Sequence, residues 1–167
     1  MPERNFSTQS KSDDREDIRI EGSGINRIDA AILRELSRDA RITRAELSRR
    51  VGLSAPSVAE RVRRLEDLGV IAGYGARLDP AKLGYKLTVL IRARPLPGEM
   101  KAMITAIEAT RQIVSCSRVS GDDCFICKAH VRDVAEMEAV IDRIVPFGAT
   151  NSSVVQSSPF PDRIVEL

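Results

Sequence analysis

The chain has little of what sulfur or imidazole chemistry needs. Its 167 residues contain three cysteines and one histidine. An odd cysteine count argues against a disulfide framework and fits a reducing compartment. No cluster of metal ligands, no paired acid and base and no phosphate-cradling glycine loop stands out, so the sequence predicts no catalytic residues, no metal and no cofactor, and a protein that is not an enzyme. Long apolar runs are missing too. Nothing approaches the roughly 20 residues of a membrane span, and the start lacks the apolar core of a signal peptide. The expected compartment is the cytoplasm, with no membrane partner. Charge of one sign is also scarce: 26 basic and 24 acidic residues leave +2. If nucleic acid is the partner, the charge must be placed rather than massed.

What is present is apolar content of 43%, enough for real cores in one or two small domains. The charge is indeed placed. Residues 1–25 hold 4 basic and 6 acidic side chains, residues 26–79 hold 11 and 8, and residues 80–167 hold 11 and 10. Ten of the 11 basic residues in the middle segment precede Tyr74, and all are arginine, the cation suited to bidentate contacts.

That segment centres on TRAELSRRVGLSAPSVAERVRRLEDLG, residues 43–69. Thr43 and Glu46 have capping-box spacing, and Leu47 and Val51 give one apolar stripe. Gly52 supplies the left-handed backbone of a helix end. Ser54 caps a second helix, with Pro56 in its first turn where a missing amide proton costs nothing. Val58, Val62, Leu65 and Leu68 form its predicted buried stripe. The opposite face carries Ser57, Glu60, Arg61 and Arg64. A charge run is most often only a solvated face. Here, however, a short turn capped on both sides precedes a helix with hydroxyls at its start and arginines beyond, which predicts a helix-turn-helix. Ser54 and nearby amides then meet phosphate while Ser57, Arg61 and Arg64 face the major groove of double-stranded DNA, with Glu60 on the same DNA-binding face. A two-fold symmetric protein reads an imperfect palindrome.

Residues 1–24 are polar and unpatterned and predict a disordered tail. Asn26 can cap a helix over 27–38, in which Ile28, Ile32 and Leu36 recur at spacing four. The segment after Gly69, VIAGYGARLDP, suggests a β-wing or connecting strand, and Asp79-Pro80 closes a domain over 25–79. Beyond it the period changes to two. Leu87, Val89, Ile91 and Ala93 share one face of a strand. Met100, Met103, Ile104 and Ile107 mark a helix, residues 113–120 and 124–131 alternate around a Gly121-Asp122-Asp123 turn, Val134, Met137, Ile141 and Ile144 mark another helix, and residues 150–158 form a last strand. Residues 80–167 therefore predict the ferredoxin-like βαββαβ arrangement, and the whole chain an α+β fold. One sheet face has both helices. The other, expected to carry Leu90, Val114, Cys116, Ile126 and Val155, has nothing in the chain to cover it and predicts a partner subunit.

From residue 25 to about 158 the chain resembles the Lrp/AsnC family of leucine-responsive and asparagine-sensing regulators, both in IDAAILRELSRDARITRAELSRRVGLSAPSVAERVRRLEDLGVIAGYGARLDPAKLG and in IVSCSRVSGDDCF. The resemblance implies a transcriptional regulator whose sheet domains pair into dimers that assemble to tetramers or octamers. It also implies a small effector, usually an amino acid, bound near a hairpin with a Gly-x-x-Asp-aromatic motif. Gly121 matches the family glycine and Phe125 the aromatic position, while Cys124 stands where the family aspartate usually does. The expected effector residues are Ser120, Gly121, Asp122, Asp123 and Cys124, with Asp122 or Asp123 meeting the ammonium group and Thr150, Ser152 and Ser153 supplying hydroxyls. Two other readings stand beside it. One is an architectural DNA-binding protein with no effector. The other is a redox or metal sensor built on Cys124-Phe-Ile-Cys127, although strand residues three apart face opposite ways and no second C-x-x-C exists. On the plainer reading, Cys116 and Cys127 are small buried hydrophobes.

Overall fold

A computed structural model of the chain describes residues 24–160. All of the expected tail except Gly24 lies outside the described residues. The chain divides into two compact units at Ala76/Arg77.

The first unit contains three helices, α1 (Arg27–Arg38), α2 (Arg44–Val51) and α3 (Ala55–Asp67). Each begins at the expected cap. Asn26 and Asp29 bond reciprocally across the start of α1, and Thr43 and Ser54 accept the third amide of α2 and α3. Ile25, Ile32, Leu47, Val58 and Leu65 form the core, with Leu36, Ile42, Val51 and Val62 packed around it. Leu68 departs from the predicted stripe. It is the C-cap of α3 and 57% exposed, because the helix ends before another turn can carry it inward. No strand forms over residues 70–79. Instead the Ile71 N–H donates to the Leu65 carbonyl at 3.1 Å and the Tyr74 hydroxyl to Glu66 at 2.7 Å. A strand needs a partner ladder, and no described segment offers one here.

The second unit contains β1 (Leu87–Pro95), α4 (Met100–Ala109), β2 (Ile113–Arg118), β3 (Phe125–Val131), α5 (Val134–Asp142) and β4 (Gly148–Val154). The antiparallel sheet has the order β2-β3-β1-β4, the ferredoxin-like topology. Val89, Ile91 and Ala93 of β1, Phe125, Cys127, Ala129 and Val131 of β3, and Met103, Ile107, Val140 and Ile144 are buried together, while Leu87 packs against them partly covered. Val134, by contrast, is 55% exposed at the start of α5. The last strand starts and ends earlier than its composition suggests. Gly148 pairs with Pro95, the Val155 N–H donates to the Thr88 carbonyl, and β1 begins at Leu87, so residues beyond have no edge to pair with. A register shift between Ile113 and Ser115 also overturns one expectation. This bulge inverts the alternation of β2, so Cys116 lies opposite core-facing Cys127 on the helix-covered side rather than on the open face.

Candidate functional site

Four of the five residues expected at DNA converge. Ser57, Glu60, Arg61 and Arg64, with Asn26, line one surface hollow of about 380 Å³. Ser54 adjoins them, because its hydroxyl lies 2.8 Å from that of Ser57 and accepts the Ser57 N–H at 3.3 Å. Ser54 thus caps α3, and the Ser57 hydroxyl bonded to it lies at the N-terminal end of the helix that an anion would approach.

The arginines have a second partner that sequence reasoning missed. Asp29 is fully buried. It accepts Arg61 Nη1 at 3.0 Å on Oδ1 and Arg64 Nη2 at 2.5 Å on Oδ2, and the Asn26 N–H at 3.2 Å. Arg61 Nη1 also lies 3.4 Å from Asn26 Oδ1. One carboxylate therefore caps α1 and holds two guanidinium groups of α3. Each guanidinium has five N–H donors in a fixed fork, so one edge can hold Asp29 while others face outward. The side chains remain 29% and 46% exposed. The Asn26-x-x-Asp29 spacing is visible in the sequence, but it points only to a cap. Nothing local connects Asp29 to residues more than 30 positions away.

A similar link fixes α2. Glu46 does not complete a capping box with Thr43. Its carboxylate is taken up by Arg49 at 2.7 and 2.9 Å and by Arg50 at 2.7 Å. Hydrogen bonds from Arg49 and then Arg50 pull its pKa down to about 2. Arg50 continues to Glu35 on α1 at 2.6 Å.

In the second unit the hairpin residues 119–124 join β2 to β3, with the Val119 N–H donating to the Cys124 carbonyl at 2.9 Å. Gly121 has φ +108°, a conformation suited to glycine. The two aspartates face arginines of β1. Asp122 Oδ1 lies 3.3 Å from Arg94 and its carbonyl accepts Arg94 Nε–H, while Asp123 Oδ2 lies 3.8 Å from Arg92 Nε. Arg92 and Arg94 were not among the expected site residues. The alternation of β1 signals them, since they point away from Ile91 and Ala93, but only the strand order places them beside the hairpin.

The remaining candidates do not all converge. Cys124 packs against the core, and its N–H donates to the Ala93 carbonyl, so its thiol faces away from an open site. Thr150 and Ser152 are register partners of the core residues Ala93 and Ile91, whereas Ser153 pairs with Leu90 on the open face. Alternation thus separates the three hydroxyls within one chain. His130 lies on the open face, its Nδ1 3.1 Å from the Thr88 hydroxyl, and burial and then Lys128 depress its pKa. The Cys127 sulfur lies 2.9 Å from that of Cys116. Cys127 is buried as expected, but Cys116 is exposed on the edge strand. Among the described residues, no group of His, Cys, Asp and Glu is arranged to hold a metal ion, and no helix is long and apolar enough to cross a membrane.

A capped helix-turn-helix with an arginine face, in one chain with a ferredoxin-like domain bearing a charged hairpin, defines a DNA-binding regulator with a sensor domain. A winged helix-turn-helix DNA-binding model matches residues 25–72, and the Lrp/AsnC ligand binding domain matches residues 88–165. The chain is 33% identical over 139 residues to the HTH-type transcriptional regulator LrpA of Mycobacterium tuberculosis, covering 81% of this chain and 93% of that one. The solved structure of LrpC from B. subtilis matches with TM-score 0.78 and 30% identity, over 83% of this chain and 99% of that one. A feast or famine regulatory protein from M. tuberculosis, solved in complex with L-methionine, matches with TM-score 0.77 and 32% identity, over 84% and 97%. The chain belongs to the Lrp/AsnC family of transcriptional regulators. It is a DNA-binding regulator with a domain for a small effector.

Proposed function

We propose that this regulator reads an imperfect palindrome through α3 and that an amino acid docks at the Ser120–Cys124 hairpin to control its assembly. The observation that carries the effector reading is the pairing of Asp122 and Asp123 with Arg94 and Arg92. An amino acid bears one carboxylate and one ammonium, and this patch bears both complements. The pairs are solvent-exposed, so each contributes only about 0–1 kcal/mol and exchange for a zwitterion costs little. The L-methionine bound by the M. tuberculosis relative is of the proposed class.

The same side of the sheet supplies the assembly surface. Leu90 and Ile126 lie there with Thr88, Lys128 and His130, and neither helix covers them. A second copy placed on this face gives a dimer, and further contacts at the hairpin lead to a tetramer or octamer working on DNA in the cytoplasm. Residues 80–167 alone are then expected to associate at least to dimers in light scattering. A monodisperse monomer would refute the sheet-pairing reading.

A thermal-shift screen of the twenty amino acids tests the effector. A hit stabilises by RT ln(1 + [L]/Kd). Asp123→Asn and Arg92→Gln should each abolish the shift while preserving basal DNA binding. Gly121→Asp is a weaker test of the same site. A Cβ added at Gly121 meets no atom of the chain within 4 Å, so that substitution acts by straining the backbone rather than by filling a pocket of the chain itself. If no amino acid changes melting or oligomer size, the architectural reading takes the lead. Half-site spacing other than one helical turn or a multiple, read by footprinting, would overturn the palindrome.

A further inference from the structure

We infer that Cys116 and Cys127 form a reversible disulfide across β2 and β3, the pair being assembled by a β-bulge and unconnected with the C-x-x-C spacing. The two residues are direct register partners, and their sulfurs lie 2.9 Å apart. The ladder identifies the kind of pair. The bond from the Val119 N–H to the Cys124 carbonyl makes 119/124 a hydrogen-bonded pair. Alternation then makes 117/126 the next such pair and 116/127 a non-hydrogen-bonded one, whose Cα atoms sit about 4.5 Å apart with side chains closer together. That spacing falls within the range a disulfide spans, so closing the bond requires sulfur movement and no new strand register.

The two thiols differ in a way that orders the reaction. Cys116 is exposed on an edge strand, on the helix side of the sheet and away from the face proposed to meet a second copy. Cys127 is buried, and burial followed by its bond with Cys116 pushes its thiol up to about 12. Cys116 is therefore the thiol a reagent reaches, and Cys127 is the resolving partner. The oxidant is a low-molecular-weight disulfide of the glutathione type. Cys116 thiolate attacks one of its sulfurs, forming a mixed disulfide and expelling one small thiolate. Cys127 sulfur then attacks Cys116 sulfur in that mixed disulfide, giving up its proton and expelling the second small thiolate. Two protein thiols are oxidised, one small disulfide is reduced to two thiols, and excess dithiol reverses both steps. The new bond closes a short ring around residues 117–126, the hairpin that bears Gly121, Asp122 and Asp123. It does not depend on an effector binding there.

The test uses the full chain incubated with oxidised glutathione, then alkylated and analysed by intact mass, thiol titration after denaturation and peptide mapping. The expected product has lost two hydrogens, retains one titratable thiol at Cys124, runs as a monomer under denaturing non-reducing conditions, and yields one linked peptide pair spanning Cys116 and Cys127. It should melt about 5 °C or more higher, and dithiothreitol should remove the gain. Cys124→Ser should still form the bridge. Cys127→Ala should stop at a stable glutathione adduct on Cys116, and Cys116→Ser should leave both remaining thiols free. A bridge that includes Cys124, an intermolecular disulfide, or a glutathione adduct that persists on the wild-type chain would overturn the proposal.

Discussion

The two units are stabilised by different physics. The sheet unit has a contiguous apolar core drawn mainly from β1, β3, α4 and α5. The helical unit has a core cluster of only five buried apolar residues and makes up the difference with carboxylates set among arginines: Asp29 with Arg61 and Arg64, Glu35 with Arg38 and Arg50, and Glu46 with Arg49 and Arg50. The difference follows from function. A surface that approaches a polyanion must keep its cations, and like charges crowded on short helices repel one another. Buried or half-buried acids neutralise part of that repulsion and aim the guanidinium groups. The sheet unit faces no such demand and can rely on burial.

The largest expected effect is on the apolar side of this contrast. Ile91 is fully buried. Ile91→Ala should lower stability of the sheet unit by about 2–5 kcal/mol, measured by urea unfolding. A loss below about 1 kcal/mol would deny that the unit depends on burial. The matching change in the helical unit is polar. Asp29→Ala leaves Arg61 and Arg64 without their carboxylate and removes the acceptor of the Asn26 N–H, half of the α1 capping box. It should cost about 3 kcal/mol, the lower end for a buried ion pair because both arginines keep some solvent. Asp29→Ala should also weaken DNA binding, since the guanidinium groups lose their positioning. Unchanged stability would remove the proposed strut.

Arg61→Ala separates holding from reading. Specific DNA affinity should fall by about 1–3 kcal/mol if Arg61 contacts a base. Circular dichroism should show the helices retained, and non-specific DNA binding should change less. Equal losses on both DNAs would reassign Arg61 to phosphate. A smaller effect is expected at the cap. Ser54→Ala removes the acceptor of the Ser57 N–H and should cost about 1 kcal/mol.

The smallest effect concerns pH. Burial and Lys128 hold the His130 pKa below its ordinary 6.5, so the folded state favours the neutral ring. The resulting sign is that the full stability is present above 6.5 and is lost as pH falls through the depressed folded value. His130→Gln should therefore flatten the melting temperature of the sheet unit between roughly pH 7 and 5, while the helical unit stays unaffected over that interval. An unaltered slope would exclude His130 as its source.

Much of the fold was legible in the sequence because its signals are local. Helix caps at Asn26, Thr43 and Ser54, the turn at Gly52, period 3.6 in the helices and period two in β1 and β3 each depend on a few neighbouring residues. The two-part order of those signals was enough to point to the family. The bulge in β2 was not legible, since an extra residue shifts every later side chain without leaving a compositional mark. The exposed position of Leu68 depended on where α3 stopped, and the short final strand depended on the length of β1.

The sequence by itself thus determined the helices and the four strands of the sheet, their order and the charged face of α3, though not the lack of a strand over residues 70–79. Only the tertiary structure decided which charged and polar side chains would meet. Asp29 joins Arg61 and Arg64, Asp122 and Asp123 face Arg94 and Arg92, and Cys116 meets Cys127 rather than Cys124 pairing with it. The physical reason is range. Backbone propensity and periodicity act within a turn or along one strand, whereas these contacts depend on strand order, register and helix packing, which bring together residues up to 35 positions apart.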